Sequence, residues 1–176
     1  MMKRTALTGG IACGKSYVAG VLRRLGIATL DADDIVHELI PDPEERRRLA
    51  AEVFADPERR RELEARLHPQ VKARLDGFLA AADGPALVIV PLLFETHWDA
   101  EYDIICCVQS ERETQIARMM TTRGYSRAAA EARLAAQLPV AEKAARSHYV
   151  IPNDGSLAEL EAEVTRFADW LMAKVR

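Results

Sequence analysis

Lys15 and Ser16 close a glycine-rich segment whose residue types and spacing suit the binding of phosphate. The segment reads Gly9-Gly10-Ile11-Ala12-Cys13-Gly14-Lys15-Ser16, in which a glycine is followed by four residues and then by Gly-Lys-Ser. In such a loop backbone N–H groups surround the phosphates, the lysine supplies a positive charge for the β- and γ-phosphates, and the serine hydroxyl binds Mg²⁺. The alternative is a glycine-rich turn that is followed by Lys-Ser by chance.

The segments on either side of this loop favour phosphate binding over a chance match. Thr5–Thr8 before the loop is predicted to be a short buried strand. Apolar residues at i, i+3, i+4 and i+7 after the loop predict an amphipathic helix, and these are Val18, Val21, Leu22 and Leu25. Gly26 is expected to end that helix. A strand, a glycine turn and a helix N-terminus together form an anion-binding concavity.

Two carboxylates follow the second predicted strand, Ile27–Leu30. They are Asp31 and Asp33, in the sequence Asp31-Ala32-Asp33. Ligands of open α/β sheets bind beyond the carboxyl ends of strands, so these groups are candidates to activate a substrate hydroxyl or to hold Mg²⁺ through water. An equally good local interpretation is that Asp33 or Asp34 caps the next helix.

Glu95 ends the sequence Pro91-Leu92-Leu93-Phe94-Glu95, which follows the third predicted strand, Ala86–Val90. It is the first ionisable residue after a run of apolar residues and proline, and it is a candidate to bind a ribose or a water on Mg²⁺. The alternative is that Glu95 is a solvated charge in a loop, and this segment taken by itself favours that alternative.

Arg118 lies on the helix predicted after the fourth strand, and further arginines follow it in an Ala/Arg-rich segment at Arg123, Arg127 and Arg133. Guanidinium groups suit phosphate because they offer forked donors and stay charged. The segment has few large apolar residues, so residues of about 118–146 are expected to form a mobile lid. Exposed helical arginines are also common, and most of these four are expected at the surface.

Two further sites carry polar residues at predicted chain reversals. His68-Pro69 is expected at a junction between two helices, where the imidazole contacts a substrate phosphate or adenine, or is simply a turn residue. Asn153-Asp154-Gly155 follows the last predicted strand and is a turn signal. In a parallel sheet it lies near the position where a nucleotide base emerges.

Strand-like runs alternate with helical patterns along the chain, which predicts a parallel sheet covered by helices on both faces. The fourth and fifth runs are Ile104–Val108 and Tyr149–Ile151. An insert of about residues 33–82 separates the second and third strands. We expect it to be a helical subdomain, because aspartate followed by proline predicts a helix start twice, at Asp42-Pro43 and Asp56-Pro57. Ser110 with Glu113 and Ser156 with Glu159 match capping boxes.

The composition is that of one ordinary globular domain. The chain has 176 residues, a net charge of −3 and a pI near 5.9, which argues against a general nucleic-acid binder. Its longest apolar runs are far too short to span a membrane, and no apolar signal segment precedes the first strand. We therefore expect a cytoplasmic protein.

The three cysteines lack the spacing of a zinc site, and a reduced compartment is expected. Cys106 and Cys107 are adjacent in an apolar run and are expected in the core. Cys13 precedes a helix N-terminus, which favours the thiolate, so this thiol is expected to react with a thiol reagent and to be protected by ATP.

Taken together, these motifs resemble the dephospho-coenzyme A kinase family over almost the whole chain and in the same order. The resemblance is carried by Leu7 to Ser16, by Asp31-Ala32-Asp33, by His68-Pro69, by Pro91 to Glu95, by Arg118, by Gln137 and by Asn153-Asp154-Gly155. The phosphate loop occurs in many families, but its combination with Asp-Ala-Asp and Pro-Leu-Leu-Phe-Glu is specific.

The resemblance implies a three-layer α/β/α fold of the P-loop NTPase type, with a five-stranded parallel sheet in the order 2-3-1-4-5. It implies one kinase domain over residues 1–176, with the helical insert binding the substrate and the lid closing over ATP. It also implies transfer of the γ-phosphate of ATP to the ribose 3′-hydroxyl of dephospho-coenzyme A, with Mg²⁺ as cofactor.

Individual roles follow from the same resemblance. Asp33 is implied to be the base, Lys15 and Arg118 to be catalytic cations, and Ser16 to be the Mg²⁺ ligand. The implied nucleotide-binding residues are Gly10, Ile11, Ala12, Cys13, Gly14, Lys15, Ser16, Tyr17 and Asn153. The implied acceptor-binding residues are Asp31, His68, Leu92 and Glu95.

The chain departs from the family pattern in the insert, which is about twenty residues shorter than usual by this resemblance, and at His37, Tyr17 and Cys13. Two other classes of function remain open. One is a different P-loop kinase, acting on a nucleoside monophosphate or a small metabolite. The other is a non-catalytic nucleotide-binding module, although the guanine-reading sequence Asn-Lys-x-Asp of a GTP switch is absent.

Overall fold

The chain alternates strands and helices, as its hydrophobic pattern predicts, and a computed structural model describes residues 3–175. The strands are β1 (Thr5–Gly9), β2 (Ala28–Asp31), β3 (Ala86–Ile89), β4 (Ile104–Gln109) and β5 (Tyr149–Pro152). The helices are α1 (Lys15–Arg24), α2 (Ala32–Leu39), α3 (Pro43–Ala55), α4 (Pro57–Ala81), α5 (Arg112–Arg123), α6 (Arg127–Ala135), α7 (Val140–Ala145) and α8 (Leu157–Val175). A short 3₁₀ turn covers Asp99–Glu101.

The strands form one sheet in the order β2-β3-β1-β4-β5, which confirms the predicted topology. β1 is central: Leu7 pairs with Ile89 of β3 on one side and with Cys106 of β4 on the other, and both pairings are parallel. Every residue of β1 is buried. A strand that is covered on both faces has a continuous apolar sequence, which is why hydrophobic runs locate these strands to within a residue or two.

The chain divides into two compact units, of which the larger contains the residues up to Thr29 and those from Asp83 onward. Its core lies between the sheet and the helices α1 and α8, with Leu22 and Phe167 fully buried. Tyr149 and Trp170 pack against the Phe167 ring, with ring centroids 5.0 and 6.1 Å away. Among the described residues, no helix has both the length and the apolar character that a membrane span needs.

The smaller unit is Leu30–Ala82, and it contains the predicted helical insert. Here α2 and α3 both contact α4. The buried face of α4 repeats every four residues, at Leu67, Val71 and Leu75. This spacing places the three side chains on one stripe of the helix.

His68 and Pro69 lie inside α4, which runs unbroken from Pro57 to Ala81. The predicted junction between two helices is therefore wrong. Proline removes one backbone donor and crowds the preceding turn, yet a long helix tolerates this when its other contacts hold it. His68 is half-buried on this helix.

Most of the predicted helix starts are confirmed. Asp42 and Asp56 are the N-caps of α3 and α4, and each side chain accepts a hydrogen bond from the backbone N–H two residues later. At α8 Ser156 and Glu159 form the predicted capping box, in which the Glu159 N–H donates to Ser156 Oγ and the Ser156 N–H donates to Glu159 Oε2. Hydrogen bonds from Ser156 lower the pKa of Glu159.

The capping box predicted at Ser110 does not form. Glu111 is the N-cap residue of α5 and makes no side-chain cap. The Ser110 hydroxyl is buried and donates to the Asn153 carbonyl at 2.7 Å instead. A long-range acceptor has thus replaced the local one that the sequence pattern predicted.

Cys13 belongs to the apolar core and is fully buried. Burial raises the pKa of its thiol, and this effect exceeds the lowering by the Lys15 ammonium. Burial likewise raises the pKa of Cys107, to about 12. The expectation of a thiolate at Cys13 is therefore wrong, because the side chain turns inward, away from the loop's anion-binding side.

We predict that Cys13 in the folded protein reacts slowly with 5,5′-dithiobis(2-nitrobenzoate) at pH 7.5, at the same rate with and without ATP. A raised pKa leaves little thiolate, and burial blocks access to it. Urea-unfolded protein serves as the control, in which all three thiols should react. Rapid labelling of one thiol in the native protein that ATP blocks would contradict the buried orientation.

Candidate active site

The loop between β1 and α1 depends on glycine at two positions. Gly9 has φ 150°, and a Cβ there would collide with the Val108 carbonyl of β4. Gly14 has φ 90°, and a Cβ there would lie 2.5 Å from Asn153 Nδ2. Both conformations are unfavourable for other residues, and neither position leaves space for a side chain. The loop therefore lies directly against the ends of β4 and β5.

The N-terminus of α1 is open to a ligand. Gly14 is its N-cap residue and has no side chain to cap the helix, and the first turn contains no acidic residue. The first N–H groups of a helix have no partner within the helix, and the helix dipole makes that end positive. The exposed Ser16 hydroxyl lies in this first turn.

The carbonyl groups of the loop are each held by a side-chain donor. Lys15 Nζ donates to the carbonyls of Gly9 and Gly10, at 3.1 and 2.8 Å. Three residues that are distant in sequence donate hydrogen bonds to the next three carbonyls. Gln115 Nε2 donates to Ile11 O at 2.7 Å, Arg118 Nη1 donates to Ala12 O at 3.3 Å, and Asn153 Nδ2 donates to Cys13 O at 2.8 Å.

Fixing these carbonyls also fixes the N–H groups between them. In a trans peptide the C=O of one residue and the N–H of the next point in opposite directions, and the described residues contain no cis peptide bond. The carbonyls of Ile11, Ala12 and Cys13 face their donors on α5 and after β5, so the N–H groups of residues 12–14 point away from those donors. The Cys13 N–H bonds Gly10 O within the loop at 3.3 Å. N–H groups turned in this way line the anion sites of glycine-rich loops.

Arg118 joins this loop to the end of β5. Besides Ala12 O, its guanidinium donates to Ser110 Oγ at 3.0 Å and to the Asn153 carbonyl at 2.8 Å. Asn153 is also buried and contacts the loop through its amide. Both residues were predicted to touch nucleotide, and in this structure both hold the loop.

A buried ion pair lies beside the loop, between Glu95 and Lys143. Lys143 is fully buried, and its Nζ lies 2.8 Å from Glu95 Oε1 and donates to the Pro91 carbonyl at 2.9 Å. Glu95 Oε1 also accepts from the Leu138 N–H at 3.0 Å. The pair thus ties the turn after β3 to the start of α7. Glu95 Oε2 is buried and has no hydrogen-bond partner among the described residues.

Lys143 and Gln115 are the functional residues that sequence reasoning missed. A lysine in the segment Ala141-Glu142-Lys143-Ala144 has the pattern of an exposed helix face. Gln115 has no pattern of its own, apart from its position three residues before Arg118 on α5. That i, i+3 spacing places both side chains on one helix face, where they reach consecutive carbonyls of the loop.

A cleft of about 480 Å³ opens beside the start of the loop. Gly10 and Ile11 form one wall, and residues 134–141 form another. The glutamine amides of Gln109, Gln115 and Gln137 contribute neutral polar groups to the lining. The segment predicted as a lid therefore borders the phosphate loop.

The remaining predicted nucleotide and acceptor residues of the larger unit occupy separate positions. Tyr17 is exposed in the first turn of α1, and its hydroxyl donates to Glu161 Oε1 of α8 at 2.8 Å. Leu92 is half-buried in the turn after β3, where its carbonyl accepts from the Thr96 N–H. Among the described residues, neither side chain forms a hydrogen bond with the phosphate loop.

The two carboxylates of the smaller unit have different positions. Asp31 is the N-cap of α2, and its Oδ1 accepts from the Asp33 N–H at 2.9 Å. Asp33 lies in the first turn of α2 and is exposed. The interpretation of Asp33 or Asp34 as the helix cap is therefore wrong, because Asp31 occupies that position. The Asp33 carboxylate is exposed and is not the helix cap.

Protein side chains alone do not form a metal site in residues 3–175, since no group of three or more His, Cys, Asp or Glu side chains is placed to hold one. A site for Mg²⁺ that uses one hydroxyl, substrate phosphates and water needs no such group. The exposed Ser16 hydroxyl at the mouth of the loop fits this kind of site.

The comparisons with known proteins agree with one another. A dephospho-CoA kinase family model matches residues 4–45 and 44–159. A dephospho-CoA kinase of Thermosynechococcus vestitus is 38% identical over 92% of this chain and 91% of its own. TT1252 of Thermus thermophilus, a crystal structure, superposes with a TM-score of 0.82 and 34% identity, over 99% of this chain and 98% of its own.

A dephospho-CoA kinase of Campylobacter jejuni shares the fold, with a TM-score of 0.73 and 24% identity over 99% of both chains. The family model and the curated relative cover nearly the whole chain, including the phosphate loop, the aspartates after β2 and the turn after β3. The chain belongs to the dephospho-CoA kinase family.

Proposed function

We propose that this protein transfers the γ-phosphate of ATP to the ribose 3′-hydroxyl of dephospho-coenzyme A, which gives coenzyme A and ADP in the last step of coenzyme A biosynthesis. The observation that carries the proposal is the phosphate loop, whose five carbonyls are each held by a side-chain donor in a member of this kinase family. The proposal includes a cytoplasmic location, which the three free cysteine thiols support.

Lys15 is the cation for the transferred phosphoryl group. Its ammonium now donates to the carbonyls of Gly9 and Gly10, at the position of the loop where the β- and γ-phosphates bind in P-loop proteins. Phosphate oxygens are stronger acceptors than amide carbonyls because they are charged. When ATP binds, the Lys15 ammonium therefore donates to phosphate oxygens in place of the two carbonyls. The Ser16 hydroxyl would hold Mg²⁺, which would neutralise phosphate charge.

Arg118 is proposed as a ligand of the γ-phosphate. A guanidinium has five N–H donors, and Arg118 uses three of them on Ala12 O, Ser110 Oγ and Asn153 O. It can therefore donate to a phosphoryl oxygen and keep part of its hold on the loop. Charge that develops on the transferring group is stabilised by such a fixed donor.

Asp33 is proposed as the base that accepts the proton of the acceptor hydroxyl. In phosphoryl transfer the nucleophile is mainly oriented by such a group, and cations neutralise the phosphate charge. Asp31 caps α2 and orients its first turn, so that Asp33 has no structural duty as a cap. Asp31, His68 and Leu92 remain proposed acceptor contacts on the basis of family membership.

Glu95 is proposed to bind the acceptor ribose or a water on Mg²⁺ through Oε2. That oxygen is buried and lacks a partner among the described residues, whereas Oε1 is held by Lys143 and the Leu138 N–H. A buried carboxylate oxygen is costly to leave without a donor. A hydroxyl of the substrate or a bound water satisfies it.

The test of the activity is ADP release, measured by a coupled assay, with dephospho-coenzyme A as acceptor. Nucleoside monophosphates and small hydroxylated metabolites serve as competing acceptors. Turnover with dephospho-coenzyme A and with none of the competing acceptors supports the proposal. Faster turnover with another acceptor favours a different P-loop kinase, and absence of ADP release with every acceptor favours a binding module.

Lys15→Ala is expected to lower kcat by roughly 10²-fold or more, because a charge on the transferring phosphoryl group is lost. Circular dichroism should show that the variant stays folded. Lys3→Ala is the matched control, since Lys3 is exposed and lies outside the loop. Near-normal turnover in the Lys15 variant would contradict the assignment of the loop.

Asp33→Asn is expected to lower kcat by roughly 10²-fold or more while ATP affinity stays unchanged, because asparagine cannot accept a proton. Its melting temperature should match that of Asp34→Asn, since both changes remove a charge from the first turn of α2. Asp34→Asn is therefore the control, and it should keep its activity. Full activity in Asp33→Asn would make Asp31 or Glu95 the next candidate for the base.

Residues 123–146 are proposed as a lid that closes over ATP. α6 is attached to α5 by the exposed ion pair of Arg127 with Glu113 at 2.7 Å and by a small apolar cluster around Ala130. An exposed pair contributes only about 0–1 kcal/mol, so this attachment is weak. Amide hydrogen exchange in this segment should slow on addition of ATP. Full protection without ligand would contradict a mobile lid.

A further inference from the structure

Gln115 is a buried amide that the proposed reaction does not use. It is 3% exposed, and its Nε2 donates to Ile11 O of the phosphate loop at 2.7 Å. A Cβ on Gly10 would collide with the same nitrogen, so the amide also packs against the loop backbone. The residue thus contacts two consecutive loop residues, Gly10 and Ile11.

The Gln115 contact fixes one particular N–H group. The Ile11 carbonyl and the Ala12 N–H belong to the same trans peptide and point in opposite directions. Ala12 has φ 58°, a conformation that non-glycine residues rarely adopt. A free loop would leave this conformation readily, because other backbone conformations are more favourable for alanine. A donor on Ile11 O therefore holds the Ala12 N–H on the anion side of the loop.

The charge of the donor separates Gln115 from Lys15 and Arg118; Asn153, which holds Cys13 O, is also neutral but acts two residues further along the loop. Lys15 and Arg118 also hold loop carbonyls, at Gly9, Gly10 and Ala12. Both are cations, and in the proposed reaction both turn toward the triphosphate. Gln115 is neutral, so an incoming phosphate exerts no comparable pull on it. Its hydrogen bond can persist while the cations change partners.

We propose that Gln115 is a positioning residue that holds the phosphate loop in its binding conformation while Lys15 and Arg118 engage ATP. This inference rests on the proposed function for the movement of the two cations. The hydrogen bond from Gln115 to Ile11 O does not depend on the acceptor. Its role is therefore tested by measuring ATP binding in the absence of an acceptor.

Gln115→Glu is the decisive change, since it keeps the shape of the side chain and replaces the donor with an acceptor. At pH 8 the introduced carboxylate repels Ile11 O, and isothermal titration should show ATP binding at least about 10-fold weaker than in the wild type, in keeping with the cost of a small misplacement in a site. A protonated carboxylic acid again donates to a carbonyl. Because burial disfavours the charged form of a carboxyl, the ratio of the two dissociation constants should fall as the pH is lowered from 8 to 5.5.

The other charged groups around position 115 are the same in the wild type and in the Gln115→Glu variant. Glu111 and Arg112 lie one turn earlier on α5, Arg118 lies one turn later, and Lys15 lies across the loop. The facing segment 134–141 contributes no titratable side chain to the cleft. The ratio between variant and wild type therefore reports the introduced carboxyl.

Two further variants complete the test. Ala117→Glu adds the same charge at an exposed position of α5 and should bind ATP within about two-fold of the wild type. Gln115→Met removes the donor without adding charge, and its loss of affinity should be independent of pH. It also keeps the proposal testable if Gln115→Glu does not fold.

Equal ATP affinity of Gln115→Met and the wild type would overturn the proposal. So would ATP binding by folded Gln115→Glu at pH 8 within about two-fold of the wild type, because a donor on Ile11 O would then be dispensable. With dephospho-coenzyme A present, the variants should keep the wild-type KM for that acceptor. If the wild type fails to phosphorylate dephospho-coenzyme A, the proposed function fails while the binding ratios still decide the role of Gln115.

Discussion

The site depends on the hydrogen bonds that hold the carbonyl groups of the phosphate loop. A loop that presents N–H groups to an anion must satisfy its own carbonyls elsewhere, because a polar group near a core is costly without a partner. Here the donors come from three places: Lys15 in the loop itself, Gln115 and Arg118 on α5, and Asn153 after β5. The larger unit of the fold is arranged so that these elements meet at the loop.

This constraint explains why polar residues are buried in an otherwise apolar region. Ser110, Gln115 and Asn153 are each less than a tenth exposed, and each hydrogen-bonds the loop or a residue that holds it. A buried polar network is stable only if its members are satisfied, and it then specifies one arrangement of the backbone. The cost of burying these groups is offset by the ordered loop that they produce.

The pair of Lys143 and Glu95 applies the same principle to the neighbouring turn. Removal of one partner from a buried ion pair costs about 3–5 kcal/mol, because the remaining charge has no compensation. The pair therefore couples the turn after β3 firmly to the start of α7. By contrast, α6 is attached to α5 by exposed ion pairs of Glu131 with Arg112 and of Arg127 with Glu113, and by a small apolar cluster around Ala130. The segment proposed as a lid thus has a firm attachment at one end and a weak one in its middle.

Local pattern was sufficient for the elements and for the place of the loop between β1 and α1. The strands, the phosphate loop, the helix end at Gly26 and the caps at Asp42, Asp56 and Ser156 all depend on a few adjacent residues, so a hydrophobic run or a turn residue identifies them. The strand order agrees with the expectation from family resemblance.

Long-range contacts decided the rest. Ser110 did not cap its helix because Asn153, which is 43 positions away, offered a buried acceptor. Cys13 is buried, and the pKa of its thiol is raised, because the loop turns its side chain into the core. Lys143 and Gln115 acquired roles through partners 48 and 104 positions away, at Glu95 and Ile11. The periodicity of apolar residues indicates which face of an element is buried. The partner of a long-range hydrogen bond is decided only when distant segments pack together.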